Sequence, residues 1–150
     1  MEFLTGIEQL APVRLLKTSF YAYPVVNAVH IAAIGALFTT VVLMDMRIVG
    51  LFHQLPEQPF VGLLRRLALS AFAVAALSGF LLFAVRAQHY AALPVFLAKM
   101  TLIALAGVNF ISFLWLEGAQ ASRAALRLPA ALSVVLWTAV LLCGRFIGFF

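Results

Sequence analysis

Four long blocks of apolar residues, separated by short polar stretches, dominate the pattern along this chain. The blocks cover about residues 22–46, 62–86, 91–116 and 128–149. Because a helix rises about 1.5 Å per residue, roughly 20 residues cross a hydrocarbon core of about 30 Å. Short connections make neighbouring helices antiparallel. The pattern therefore predicts an all-α integral membrane protein, a single domain over residues 1–150 folded as a four-helix up-down bundle.

A shorter amphipathic pattern precedes the first block, between Ile7 and Phe20. Its apolar residues recur at helical spacing, and two basic residues between them can reach lipid headgroups. The apolar positions are Leu10, Val13, Leu16 and Phe20. We expect a short amphipathic segment here, with a loosely ordered tail as the alternative. The acidic start and the full-length first block argue against a cleavable signal peptide.

Composition agrees with a membrane location. The 150 residues are 65% hydrophobic and 10% charged, with a mean hydropathy of +1.12, whereas soluble domains are about half apolar and a quarter charged. The net charge of +5 comes mainly from residues near the block ends, where they act as headgroup anchors and do not indicate nucleic acid. Cys143 is the single cysteine, which excludes an intramolecular disulfide and a cysteine metal cluster.

Basic residues also predict the orientation in the membrane. One end of the bundle holds Arg47, Arg65, Arg66, Arg123 and Arg127. Because the more basic side of a membrane protein is usually cytoplasmic, both termini should be periplasmic. We therefore expect a multi-pass protein of the bacterial inner membrane.

Ionisable residues inside the apolar blocks are the candidates for function, because a charge in a bilayer core is costly. His30 lies about eight residues inside the first block, and Tyr23 and Asn27 share its helical face. Lys99 should lie at a similar depth in the third block, and Arg145 somewhat shallower in the fourth. We predict that all five residues contribute to a cofactor-binding site, with His30 as the metal ligand.

Several kinds of chemistry suit a histidine beside cations. The imidazole can ligate a haem iron while the cations pair with its carboxylates, bind a quinone or another anionic amphiphile, or relay a proton. The alternative is a structural histidine that hydrogen-bonds a neighbouring helix. For haem, the second axial ligand is open between His89, Lys99 and none.

Three further expectations concern helix packing and helix ends. Small residues recur every four positions in two rows, which predicts close packing of the helices that hold them. The rows are Ala28, Ala32 and Ala36, and Ala71, Ala75 and Gly79. Pro129 is expected in the first turn of the fourth helix. Asp45 is expected to form an interfacial salt bridge with Arg65, Arg66 or Arg123.

The chain resembles a family of small bacterial four-helix membrane proteins that is defined only as a domain of unknown function. The resemblance lies in the strings YPVVNAVHIAAIGALFTTVVLMDMRIVGL, FLAKMTLIALAGVNF and ALSVVLWTAVLLCGRFIGFF. The matching positions are His30, Asp45, Arg47, Gly50, Lys99, Asn109, Trp137, Gly144 and Arg145. It covers nearly the whole chain and implies a four-helix membrane fold.

More distantly, the chain is similar to the membrane part of CopD-type copper-resistance proteins and to HemJ-type protoporphyrinogen oxidases. In those oxidases, a histidine of helix one and a lysine of helix three form the functional pair, and His30 and Lys99 occupy the corresponding places. This chain has MDMR where the oxidases have Tyr-Leu-Pro-Arg. The resemblance therefore implies haem or tetrapyrrole binding and does not extend to the oxidase activity.

Together, these observations favour a membrane protein that binds haem b and has a redox or electron-transfer role. Its partners would be the lipid bilayer and a quinone or another membrane redox subunit, and an oligomer is compatible with the sequence. One alternative is a non-catalytic accessory subunit of a larger membrane complex. The other is a small metal or solute transporter.

Overall fold

The computed structural model describes residues 2–149, and this range contains no strand. Its helices are α1 Glu2–Glu8, α2 Ala11–Thr18, α3 Ala22–Val49, α4 Glu57–Val85, α5 Ala87–Ala92, α6 Pro94–Gly118 and α7 Arg123–Phe146, followed by a 3-10 turn, Ile147–Phe149. Helices α3, α4, α6 and α7 are long and apolar enough to cross a membrane. The predicted all-α four-helix membrane bundle is therefore confirmed.

The four long helices pack unevenly around the bundle. α3 packs against α4 and α7, and α7 packs against α6. α4 and α6 touch near their ends, where the Phe83 and Phe96 rings stack with centroids 5.2 Å apart and where Arg65 pairs with Glu117 at 3.0 Å. Between these two contacts, α4 and α6 leave one side of the bundle open.

Only one of the two small-residue rows lies in a helix interface. In α4, Ala75 is buried and Gly79 lies against the His30 imidazole of α3. The α3 row is exposed on the bundle surface, at Ala28, Ala32 and Ala36. α3 instead buries Leu37, whose cluster includes Ala68 of α4. The packing prediction is wrong for the α3 row, because larger side chains on another face of α3 make more contacts.

The short N-terminal helices pack on one end of the bundle. Val13 is 1% exposed and Leu16 is 6% exposed, and α2 contacts both α3 and α4. The Glu8 carboxylate accepts a hydrogen bond from the Gln88 backbone N–H at 3.2 Å and pairs with Lys17 at 3.2 Å. The amphipathic segment predicted between Ile7 and Phe20 is therefore confirmed as the helix α2, and α1 precedes it.

α7 begins earlier than its apolar block. Ser122 caps it by accepting a hydrogen bond from the Ala125 N–H at 3.3 Å. Since the helix begins at Arg123, Pro129 lies inside it. The expected first-turn position for Pro129 is wrong, because the capping serine lies ahead of the apolar residues.

Glutamates pair with three of the five arginines at the more basic end of the bundle, namely Arg47, Arg65 and Arg123. Arg47, which is 5% exposed, donates to the Leu55 carbonyl at 2.8 Å and pairs with Glu57 at 3.3 Å. Glu57 also pairs with Arg123 at 2.7 Å. Within residues 2–149, Asp45 forms no ion pair. The predicted Asp45 salt bridge is wrong, because glutamates on the facing helix ends take the arginines.

Candidate ligand-binding site

His30 lies on α3 with its imidazole turned toward α4. Its Nδ1 is 2.9 Å from the Ser78 hydroxyl oxygen, and that hydroxyl donates to the Val74 carbonyl at 2.6 Å. A serine hydroxyl has a single proton to donate. Since Val74 receives it, Ser78 accepts from His30 Nδ1–H, and Nε2 keeps its lone pair. This is the arrangement of a metal-ligating histidine, whose other ring nitrogen donates to a fixed acceptor.

A glycine of α4 makes room for the imidazole. A Cβ atom at Gly79 would lie 2.8 Å from His30 Cε1, which is closer than two carbon atoms pack. Gly79 therefore fixes how near the ring lies to α4. The sequence placed Gly79 in a packing row and assigned nothing to Ser78. The hydroxyl of Ser78, next to Gly79 in this small-residue row, is the signal that could have identified a partner for His30.

Lys99 lies on α6 at the same end of the bundle. Its side chain is half-buried against α7, and its Nζ would be 3.6 Å from a Cβ at Gly144. It is close enough to His30 for its charge to act on the imidazole. Within residues 2–149, Lys99 makes no side-chain hydrogen bond or ion pair. A half-buried ammonium without a counter-ion is suited to bind an anionic group.

Arg145 and Asn27 occupy different surroundings. Arg145 is exposed, and its guanidinium lies 4.9 Å from the centre of the Phe149 ring. Asn27 is half-buried on α3, one turn before His30. The structure thus brings His30 and Lys99 together, while Arg145 lies at the outer end of α7.

A cluster of aromatic side chains lies at the end of the bundle that holds His30. The hydroxyls of Tyr23 and Tyr90 lie close together, and the Tyr90 ring also contacts Phe96 and His89. Burial raises the pKa of the Tyr90 hydroxyl, so this group stays protonated and able to donate a hydrogen bond. His89 itself is exposed on α5.

The donor set limits which metal this end can hold. Residues 2–149 contain no group of three or more His, Cys, Asp or Glu side chains that could enclose a metal ion. A single imidazole is a sufficient protein ligand for an iron that is already held by a porphyrin. The residues present therefore fit a haem better than a bare metal ion.

Comparisons of the chain with protein-family models, with curated proteins and with solved structures find no match. The family resemblance therefore stays a hypothesis that rests on the residues quoted for it.

Proposed function

We propose that the protein binds haem b through His30 and has a redox or electron-transfer role in the membrane. One observation carries the proposal. Within residues 2–149, Ser78 holds the Nδ1 side of the imidazole, Nε2 has no hydrogen-bond partner, and the nearby Lys99 ammonium has no ion-pair partner.

Each side chain has a defined part in this proposal. His30 Nε2 would bind the haem iron, and the hydrogen bond between Nδ1 and Ser78 orients the ring and would make Nε2 more basic. Lys99 would pair with a haem carboxylate, because a charge-assisted hydrogen bond offsets the cost of burying both groups. The bound iron supplies one-electron chemistry. A quinone or another membrane redox subunit would be the electron partner.

The proposed location is the bacterial inner membrane, with both termini periplasmic. Support comes from the end of the bundle opposite His30. There Arg47, Arg65 and Arg123 lie together in ion pairs with two glutamates. An arginine-rich end favours the cytoplasmic side, and His30 would then lie in the periplasmic half of the membrane.

Haem content per protein tests the proposal most simply. Wild-type protein, His30→Ala and His53→Ala are purified from haem-replete cells, and haem is measured as the pyridine haemochrome. His53 lies in the exposed α3–α4 loop and is the matched control. We expect His30→Ala to lose haem and His53→Ala to keep the wild-type amount. Folded His30→Ala protein with full haem content would overturn the proposed ligand.

A colourless wild-type protein that remains folded and monodisperse would overturn the haem proposal as a whole. That result would favour the accessory-subunit alternative, which predicts stability that depends on a partner. Tight binding of a free metal ion that is lost in His30→Ala would instead favour the transporter alternative.

A further inference from the structure

A cavity of about 160 Å³ lies between the four long helices, at the end of the bundle away from His30. Its polar lining residues are Asp45, Arg65, Asn109 and Ser133, with Trp137 beside them. Asp45 follows His30 on α3 by a rise of about 22 Å. The polar end of the cavity is therefore distant from His30, and the inference drawn from it does not rest on haem.

The cavity has hydrogen-bonding groups that the protein leaves unused. Asp45 is 2% exposed. Its carboxyl group is within hydrogen-bonding reach of Ser133, but its Oδ2 has no hydrogen-bond partner in the described range. The Nε of Arg65 is also buried without a partner, although its Nη2 pairs with Glu117. Buried polar groups in proteins are almost always hydrogen-bonded. One unused acceptor and one unused donor therefore indicate a ligand that both donates and accepts.

The walls and volume of the cavity suit an aromatic ring. Phe72, Phe110, Phe113 and Trp137 line it, and Phe72 and Trp137 meet edge to face with centroids 6.2 Å apart. A cavity of about 150 Å³ in another protein holds one benzene molecule. The space of about 160 Å³ therefore accommodates one six-membered ring.

The cavity opens toward the lipid. Leu69 and Phe72 of α4 and Gly107 of α6 all line it, and all three are exposed on the bundle surface. They lie along the side where α4 and α6 separate between their end contacts. A ligand that enters there comes from the membrane, and an attached hydrocarbon tail can stay in the lipid.

We propose that this cavity binds the ring of a lipid-soluble quinol. A ring hydroxyl donates to the Asp45 carboxylate, and the second ring oxygen accepts from Arg65 Nε–H. The ring lies between the aromatic side chains, and the tail leaves between α4 and α6. A metal ion does not fit this cavity, because Asp45 is the one acidic residue in its lining.

Fluorescence of Trp137 gives a direct binding assay. Trp115, which is 74% exposed, is first changed to Phe so that Trp137 is the single emitter. Decylubiquinone is then titrated into the purified protein in detergent. We expect saturable quenching of the emission. Quenching that rises linearly with both decylubiquinone and anaerobically added decylubiquinol shows partition into the micelle alone and would overturn the proposal.

A pair of glycine variants tests the location. Gly107→Leu puts a side chain at the rim of the cavity, whereas Gly35→Leu adds the same side chain on α3 away from it. A Cβ atom meets nothing within 4 Å at either position, so both variants are expected to fold. We expect Gly107→Leu to weaken binding by about tenfold or more, and Gly35→Leu to bind as the parent does. Equal affinities in both variants would overturn the site.

Asp45→Leu tests the role of the carboxylate. Decylubiquinol, added anaerobically, competes with decylubiquinone for the same cavity. We expect Asp45→Leu to weaken decylubiquinol binding by about tenfold or more, because the ring hydroxyl would be buried without a hydrogen-bond partner. Decylubiquinone has no hydroxyl to donate, so its affinity should change little. Unchanged decylubiquinone binding also shows that the variant is folded. An equal loss for both compounds, or a loss for neither, would contradict the role of Asp45.

Discussion

Substituting Gly79 by alanine perturbs His30 without removing any functional group. The new Cβ would lie 2.8 Å from His30 Cε1, whereas carbon atoms pack at about 3.5–4.0 Å. The imidazole or α4 must therefore move by about 1 Å. Ser78 immediately precedes Gly79 on α4. The same movement therefore also breaks the 2.9 Å contact between the Ser78 hydroxyl and His30 Nδ1.

The size of the effect follows from two costs. Overpacking a filled site costs about 1–3 kcal/mol, and losing the hydrogen bond to Ser78 costs about 1 kcal/mol. Alanine also gains helix propensity over glycine, and Gly35→Ala has the same gain at a position where a Cβ meets nothing within 4 Å. Gly79→Ala should therefore be about 2–4 kcal/mol less stable than Gly35→Ala.

Reversible unfolding in mixed detergent micelles measures this difference. The same pair of variants is then made in a His30→Ala background, where no imidazole opposes the new methyl group. In the His30→Ala background, we expect the free energies of unfolding of Gly79→Ala and Gly35→Ala to differ by less than about 0.5 kcal/mol. Equal stability of Gly79→Ala and Gly35→Ala in the wild-type background would refute the close contact. An unchanged difference in the His30→Ala background would show that His30 is not its cause.

Two other contacts make separate predictions. Arg47→Met leaves the Leu55 carbonyl without its hydrogen-bond donors and should lower the free energy of unfolding by about 1–3 kcal/mol. The exposed Arg66→Met should change it by less than about 0.5 kcal/mol, and equal effects in the same unfolding assay would contradict the role of Arg47. The hydrogen bond from the Gln88 backbone N–H, together with the hydrogen bond from Lys17, lowers the pKa of Glu8 below its ordinary value of 4.5. The hydrogen bond between Glu8 and Gln88 therefore stabilises the fold fully above pH 4.5, and this stabilisation is lost as the pH falls through the lower pKa of Glu8 in the folded protein. The NMR chemical shift of the Gln88 amide should titrate at that lower pKa, and the titration should be absent from Glu8→Gln.

The sequence predicted the membrane bundle because spanning length and apolar composition are properties of each block by itself. It predicted the amphipathic α2 for the same reason, since Val13 and Leu16 recur at helical spacing. Relations between helices were harder. The hydrogen bond from His30 to Ser78 depends on the axial register of α3 against α4, which residue spacing within one helix does not determine.

The interpretation of Asp45 failed for a related reason. Opposite charges near the same membrane surface are compatible with several pairings, and Glu57 and Glu117 compete for the arginines. The helix ends decide between them, because α4 begins at Glu57 and places that carboxylate beside Arg47. The open side of the bundle near Asp45 was also not predictable, since it exists because α4 and α6 meet near their ends and separate between them.

An absorption spectrum of the wild-type protein, oxidised and then reduced with dithionite, is the measurement to make first. The protein is expressed with sufficient haem and purified in mild detergent. We predict a Soret band and sharp α and β bands on reduction, with the Soret band absent from His30→Ala. Intact, monodisperse wild-type protein with no Soret band in either state would contradict the assignment of His30 as a haem ligand.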